Sequence, residues 1–284
     1  MHRFEFEHLK QGRTEHFMRQ FFRNLFSRTV ATDRPALPPG QRVYAVGDVH
    51  GRLDLFEALI AAIEADDAAA APADTCVILL GDLVDRGADS AGVLRRARQW
   101  QAQRRVRILW GNHEEMFLKS FDSTETLRHF LRHGGRQTML SFGITAKDLG
   151  IASIDEIQVL LNAAVPQSER AYIESFEDMI RIGDYVFVHA GIDHEVALED
   201  QRPSDLRWIR EPFLSHPGAA DFVVVHGHTI SDAPEDRGCR IGIDTGAYAS
   251  GRLTAVVLEG TRRRYLEAVQ DDSGTIAAGP RALV

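Results

Sequence analysis

The chain has 284 residues, of which 44% are hydrophobic and 26% charged, an ordinary globular balance that allows one large domain or two average ones. A formal net charge of −8 and a pI near 5.8 argue against general affinity for nucleic acid or an anionic membrane, so an anionic ligand would need a locally positive site. Two cysteines, Cys76 and Cys239, make neither a disulfide framework nor a cysteine zinc pattern; both stand in apolar, strand-like contexts that predict small buried thiols.

In chain order, residues 1–40 read as an N-terminal extension. Phe17, Met18, Phe21, Phe22, Leu25 and Phe26 recur at helical spacing with Arg19, Arg23 and Arg28 between them. This basic amphipathic helix, residues 17–28, either packs on its own domain, the ordinary role of such a stripe, or docks weakly on a membrane surface or a partner. Arg19 and Arg23 interrupt the apolar run that a secretory signal needs, and no stretch reaches the length of a membrane span. The cytoplasm is therefore the expected compartment, with Met1 and Met18 both available as starts. "DRPALPPGQ" then breaks the helix as a linker.

From Val43 strands and helices alternate. "RVYAVGD", "TCVILLGD" and "RVRILWGN" predict strands, separated by the helical "RLDLFEALIAAIEA" and "SAGVLRRARQW", the pattern of a layered α/β domain. The alanine-rich "ADDAAAAPAD" predicts a short loop or frayed helix end. A mostly helical block, about 119–180, comes next. "YVFVHAG", "DFVVVHGH", "RIGID" and "RLTAVVLE" then predict short strands. One domain is expected over 41–284.

Five of the predicted strands end in metal-ligand residue types: Asp48 and His50; Asp82, Asp85 and Arg86; Asn112, His113 and Glu114; His189; and His226 with His228. In layered α/β folds ligands bind in the crevice beyond the strand ends. Gly47, Gly81 and Gly111 permit the sharp turns that would face these side chains into one crevice. Oxygen and imidazole donors without thiolates suit manganese, iron or zinc. No Gly-rich phosphate loop ending in Lys-Ser or Lys-Thr occurs, which argues against a nucleotide-driven motor.

"GDVHG", "GDLVDRG" and "GNHE", then "VHAG" and "GHT", resemble the calcineurin-like metallophosphoesterases. The Asp-Arg-Gly ending is similar to the phosphoprotein phosphatase branch, and "LRWIRE" and "IDTGA" to its bacterial and phage members. The resemblance covers roughly residues 42–258. It implies a sandwich of two central mixed sheets flanked by helices, with the helical block as an insertion. It also implies a metal-dependent phosphatase of phosphoserine and phosphothreonine proteins or peptides, with symmetrical dinucleoside tetraphosphatase or another small-molecule phosphoesterase as the alternative. The aspartate at Asp85, where the tetraphosphatases typically carry alanine, favours the phosphatase.

The resemblance further implies two divalent ions, manganese first and iron or zinc as alternatives. Asp48 and His50 would hold one, Asn112, His189 and His228 the other, and Asp82 would bridge. His113 with Asp85 would be the acid pair, and Arg86 with Arg210 the phosphate grip. Arg207 competes with Arg210 if both lie on one helical face, and His226 falls on the same strand face as His228, behind the ligands. Trp110 stands where many members carry arginine.

Overall fold

The computed structural model describes residues 34–218 and 221–281; the helix expected over 17–28, its docking role and the second start at Met18 lie outside them. Residues Ala36–Val284 form one compact unit. Its framework is two mixed sheets flanked by helices, and the sequence shows why. In β1 (Gln41–Val46) every residue from Arg42 on is buried, so the strand is covered on both faces and reads as a continuous apolar run. Val43 and Ala45 face the second sheet while Tyr44 and Val46 face the outer helices, the period of two that a pleated strand imposes.

The first sheet runs β11-β10-β9-β1-β2-β3. β1 pairs in parallel with β2 (Asp74–Leu79) and β2 with β3 (Val106–Ile108); β9 (Arg252–Glu259) returns antiparallel against β1. The hairpin of β10 (Arg262–Gln270) and β11 (Ile276–Pro280) completes the sheet. The second sheet runs β4-β5-β6-β8-β7, with β4 Met179–Ile182, β5 Tyr185–Val188, β6 Val223–His226, β7 Glu235–Asp236 and β8 Arg240–Gly242. Tyr185 and Phe187 face the first sheet, while Val186 and Val188 face Leu206 and Phe213 outside.

Helix α1 (Leu53–Ala69) covers the outer face of the first sheet through Leu55, Phe56, Leu59, Ile60 and Ile63, each contributing about 1.5–3 kcal/mol by burial. The alanine-rich stretch is half helix, because α1 continues to Ala69. α2 (Ser90–Gln101) starts where Asp89 accepts the Gly92 N–H at 2.7 Å. α3 (Asn112–Lys119) leads into the helical block, whose last helix is Gln167–Glu174. Leu127, Phe130, Met139, Ile157 and Leu161 carry that block into the same core as α1 and α2.

One sequence expectation changes, and one element was not anticipated. Cys239 is only half-buried, at a bend before β8, whereas Cys76 is buried. The hairpin β10–β11 went unread because "RRRYLEAVQ" is polar on its exposed face and alternates too weakly to signal a strand.

Candidate metal centre

The parallel strands end in register: Val46 opposite Leu79, Leu79 opposite Ile108, and His226 opposite Gly242. Just past these ends the backbone takes conformations that side chains ordinarily avoid. Among the described residues five non-glycines have positive φ, namely His50 (45°), Asp82 (50°), Asp85 (74°), Arg86 (69°) and His228 (62°). All five were singled out from the sequence, and such conformations cost on the order of 1 kcal/mol or more each unless the surroundings impose them.

The imposing groups are visible. Glu114 is fully buried, and its carboxylate accepts the backbone N–H groups of Asp82 (2.9 Å), Leu83 (2.7 Å), Val84 (3.2 Å) and Gly111 (3.0 Å). Gly111 must be glycine, since a Cβ there would come within 2.1 Å of Asp82 Oδ1.

Asp82 is the centre of the arrangement. Its Oδ2 lies 3.4 Å from His50 Nε2 and 3.9 Å from His113 Nε2, and its Oδ1 lies 3.5 Å from His189 Nε2. Two groups with cation-binding geometry share it: His50, Asp82 and His113 on one side, and Asp82, His189 and His228 on the other. Asn112 Oδ1 is 3.0 Å from His189 Nε2, and Asp48 accepts the His228 N–H at 3.1 and 3.2 Å. The structure thus gathers Asp48, His50, Asp82, Asn112, His189 and His228 at one locus.

These side chains fit a pair of cations. His50 Nδ1 donates to the Val84 carbonyl and His189 Nδ1 to the Leu80 carbonyl, each at 2.8 Å, so the Nε2 lone pairs point at the centre. His50 Nε2 is buried with no hydrogen-bond partner among the described residues, and His189 Nε2 faces two acceptors, Asn112 Oδ1 and Asp82 Oδ1. A cation satisfies all of these at once.

Burial lowers the imidazoles, His50 to about 3 and His228 to about 2, leaving them neutral as ligands must be. Burial works to raise Asp82, but the imidazoles of His189, His113, His50 and His228 outweigh it and hold it below the usual carboxylate range. Asp48 goes the other way, pushed well up by burial and by the charges of Asp244 and Asp82.

Beside this centre His113 Nδ1 lies 2.6 Å from Asp85 Oδ2, and Thr138 Oγ1 donates to Asp85 Oδ1 at 2.6 Å. Burial opposes charge on His113, yet Asp82 and Asp85 raise it. Arg86 Nη2 is 3.0 Å from His113 Nε2, and its guanidinium lies 4.7 Å from the Tyr248 ring centroid.

The two arginines left open by spacing separate cleanly. The helix ends at Trp208, so Arg207 and Arg210 share no face. Arg207 pairs with Asp178 at 2.6 Å and lies over the Trp110 ring at 4.4 Å. Arg210 Nη1 reaches Thr229 Oγ1 at 2.9 Å, beside His228. His226 points away from the centre, with Nε2 3.4 Å from Arg240 and its ring against Phe213.

Sequence reasoning missed Asp244, Thr138 and the structural role of Glu114. Asp244 is buried, accepts the Gly246 N–H at 2.9 Å, and is raised to about 6 by burial and the nearby Asp82 charge. It ends "RIGID" in the same way as the other strand-terminal candidates, so the same rule would have singled it out. Thr138 carried no local signal, being brought in from 53 residues away.

The family model for calcineurin-like phosphoesterases matches residues 41–251. Serine/threonine-protein phosphatase 1 of Salmonella typhimurium is 29% identical over 222 residues, covering 75% of this chain and 90% of that protein. The symmetrical bis(5'-nucleosyl)-tetraphosphatase of an Acidovorax species (strain JS42) is 38% identical over 106 residues, and the matched stretch is 35% of this chain and 35% of that protein. In fold, the chain is similar to the crystal structure of a cold-active protein-tyrosine phosphatase from a psychrophilic Shewanella species, with a TM-score of 0.51, 20% identity, and coverage of 86% and 83% of the two chains.

Proposed function

The chain belongs to the calcineurin-like phosphoesterases, hydrolases of phosphoester bonds, and from that premise we propose that it removes phosphate from serine and threonine side chains of proteins. The observation that carries this reading is the buried Asp85–His113 pair at 2.6 Å beside the shared carboxylate of Asp82. A serine or threonine alkoxide is a poor leaving group, and a positioned acid is what its departure needs. Similarity over 90% of a serine/threonine phosphatase supports the same reading.

Asp48, His50, Asp82, Asn112, His189 and His228 would hold two divalent ions, with Asp82 common to both; the oxygen and imidazole set suits manganese, with iron or zinc as alternatives. When bound, such ions clamp an in-line displacement at phosphorus and lower the pKa of water. Arg86 and Arg210 offer planar forks to the phosphate oxygens. Asp85 holds the Nδ1 proton of His113, which leaves Nε2 to deliver a proton to the departing oxygen. Arg86 now occupies that Nε2; a substrate phosphate drawing the guanidinium away would free the nitrogen for its proton.

Hydrolysis of dinucleoside tetraphosphates is the second reading, favoured by the 38% identity over 106 residues to a tetraphosphatase. The test compares a phosphothreonine peptide with diadenosine tetraphosphate, using metal-stripped protein resupplied with manganese. Faster peptide turnover supports the phosphatase; preferential cleavage of the dinucleotide moves the assignment to the second reading. No turnover of either, in protein loaded with two metals, defeats both.

A further inference from the structure

We infer that the cleft along α3, lined by Glu115 and Met116, receives an acidic peptide segment flanking the phosphorylated residue, recognised by Arg128 and Arg132; this rests on the protein-phosphatase reading above. The cleft has a volume of about 450 Å³ and lies between α3, the ridge of Arg128, His129 and Arg132, and the indole of Trp208. Residues 128–136, "RHFLRHGGR", hold three arginines and two histidines and no carboxylate, in a chain of net charge −8.

Arg128 and Arg132 are exposed, four residues apart, and neither side chain makes a hydrogen bond or ion pair with any described residue. The opposing acids are largely accounted for. Glu115 already holds Lys119 and the Trp208 indole N–H. Glu125 sits in the first turn of its helix (Thr124–Phe130), where the helix dipole favours a negative charge. Two free guanidinium forks are left for a ligand, each matched to a carboxylate, with an aromatic wall 39% exposed at Trp208.

The cleft is fastened to the reaction centre at three places. Glu115 and Met116 come after His113 on the same helix. Trp208 precedes Arg210 by two residues. The ridge ends in Gly134, whose carbonyl accepts the Arg86 N–H at 3.1 Å. At φ 109°, and with a Cβ there falling 2.6 Å from Arg86 Cγ, only glycine lets the ridge approach so closely. A phosphoresidue held at Arg86 and Arg210 therefore has its neighbours along the chain at the mouth of this cleft.

The experiment uses the full chain with manganese and two phosphothreonine peptides of equal length, one with glutamate flanks and one with lysine flanks, beside flankless p-nitrophenyl phosphate. The acidic peptide is expected to have a kcat/KM about five- to tenfold higher, carried by KM and fading with salt, the scale of two exposed charge contacts. In R128E/R132E the preference should vanish or invert while p-nitrophenyl phosphate turnover stays unchanged. Equal turnover of both peptides by the wild type, or a preference that survives the double variant, overturns the inference and leaves the phosphatase reading standing. Turnover of diadenosine tetraphosphate but of neither peptide overturns both.

Discussion

At the scale of single residues, the acid pair makes the sharpest prediction. Asp85→Asn and His113→Asn should each lower kcat on a phosphothreonine peptide by about 10²- to 10⁴-fold, the usual contribution of a positioned acid. The loss should be much smaller on p-nitrophenyl phosphate, whose leaving group is stable as an anion; equal losses on both substrates in steady-state assays would remove His113 from the role of acid. Thr138 works through Asp85, donating to Oδ1 and accepting the Asp85 N–H at 2.9 Å. Thr138→Val leaves that buried N–H to Ser90 alone and should cost about 1–2 kcal/mol in a urea titration. With Asp85 less firmly held, it raises His113 less, and the alkaline limb of the kcat–pH profile, where a general acid loses its proton, should move to lower pH, which a purely structural role would not produce.

At the scale of elements, the strained turn after β2 depends on the first turn of α3, because one Glu114 carboxylate collects four N–H groups from both. Glu114→Gln keeps the shape but replaces one acceptor oxygen with a donor; charge-assisted bonds of this kind are each worth about 1.5–3 kcal/mol, so a fall in thermal midpoint and weaker manganese binding by calorimetry are expected together. On the opposite side, α1 is tied to the first sheet by Asp66 and Asp67. Asp66 accepts from Tyr44 and both Arg264 nitrogens, Asp67 from Arg42, Thr75 and Arg104. Burial works to raise both carboxyls, but these donors outweigh it and hold them below the usual range. A depressed carboxyl stabilises the fold above its unfolded pKa, near 4, and that stability is lost as pH falls through the folded value. The urea midpoint should therefore drop below about pH 4, and D66N/D67N should start lower and drop less.

At the scale of the whole molecule, the two sheets bring Asp48, Asp82 and Asp244 together inside the protein, a concentration of negative charge that is costly without cations. Manganese at a hundred times its Kd should add about 2.7 kcal/mol, or about 5–10 °C for a chain of this size. Scanning calorimetry of chelator-treated protein titrated with manganese measures it. A midpoint indifferent to manganese, magnesium, iron and zinc would refute the metal centre.

The candidate site residues at the strand ends were legible in the sequence because each is local. A buried β-run must end somewhere, and a charged or imidazole side chain placed just past its end is costly unless something binds it. Asp82, His113 and His228 were singled out on that logic, and Asp244 would have been. The layered α/β order was legible for the same reason, since periods of 2 and 3.6 are written in neighbouring residues. Where the C-terminal hairpin goes was decided by tertiary structure alone: β9 pairs beside β1 across more than 200 residues, and no local pattern encodes a partner at that distance. Thr138 behind Asp85, Arg207 over Trp110 and the ridge anchored by Gly134 share that property. The sequence by itself determined which residues have chemistry to offer; only the fold decided which of them meet, because hydrogen bonds and packing act over a few ångströms of space and are indifferent to separation along the chain.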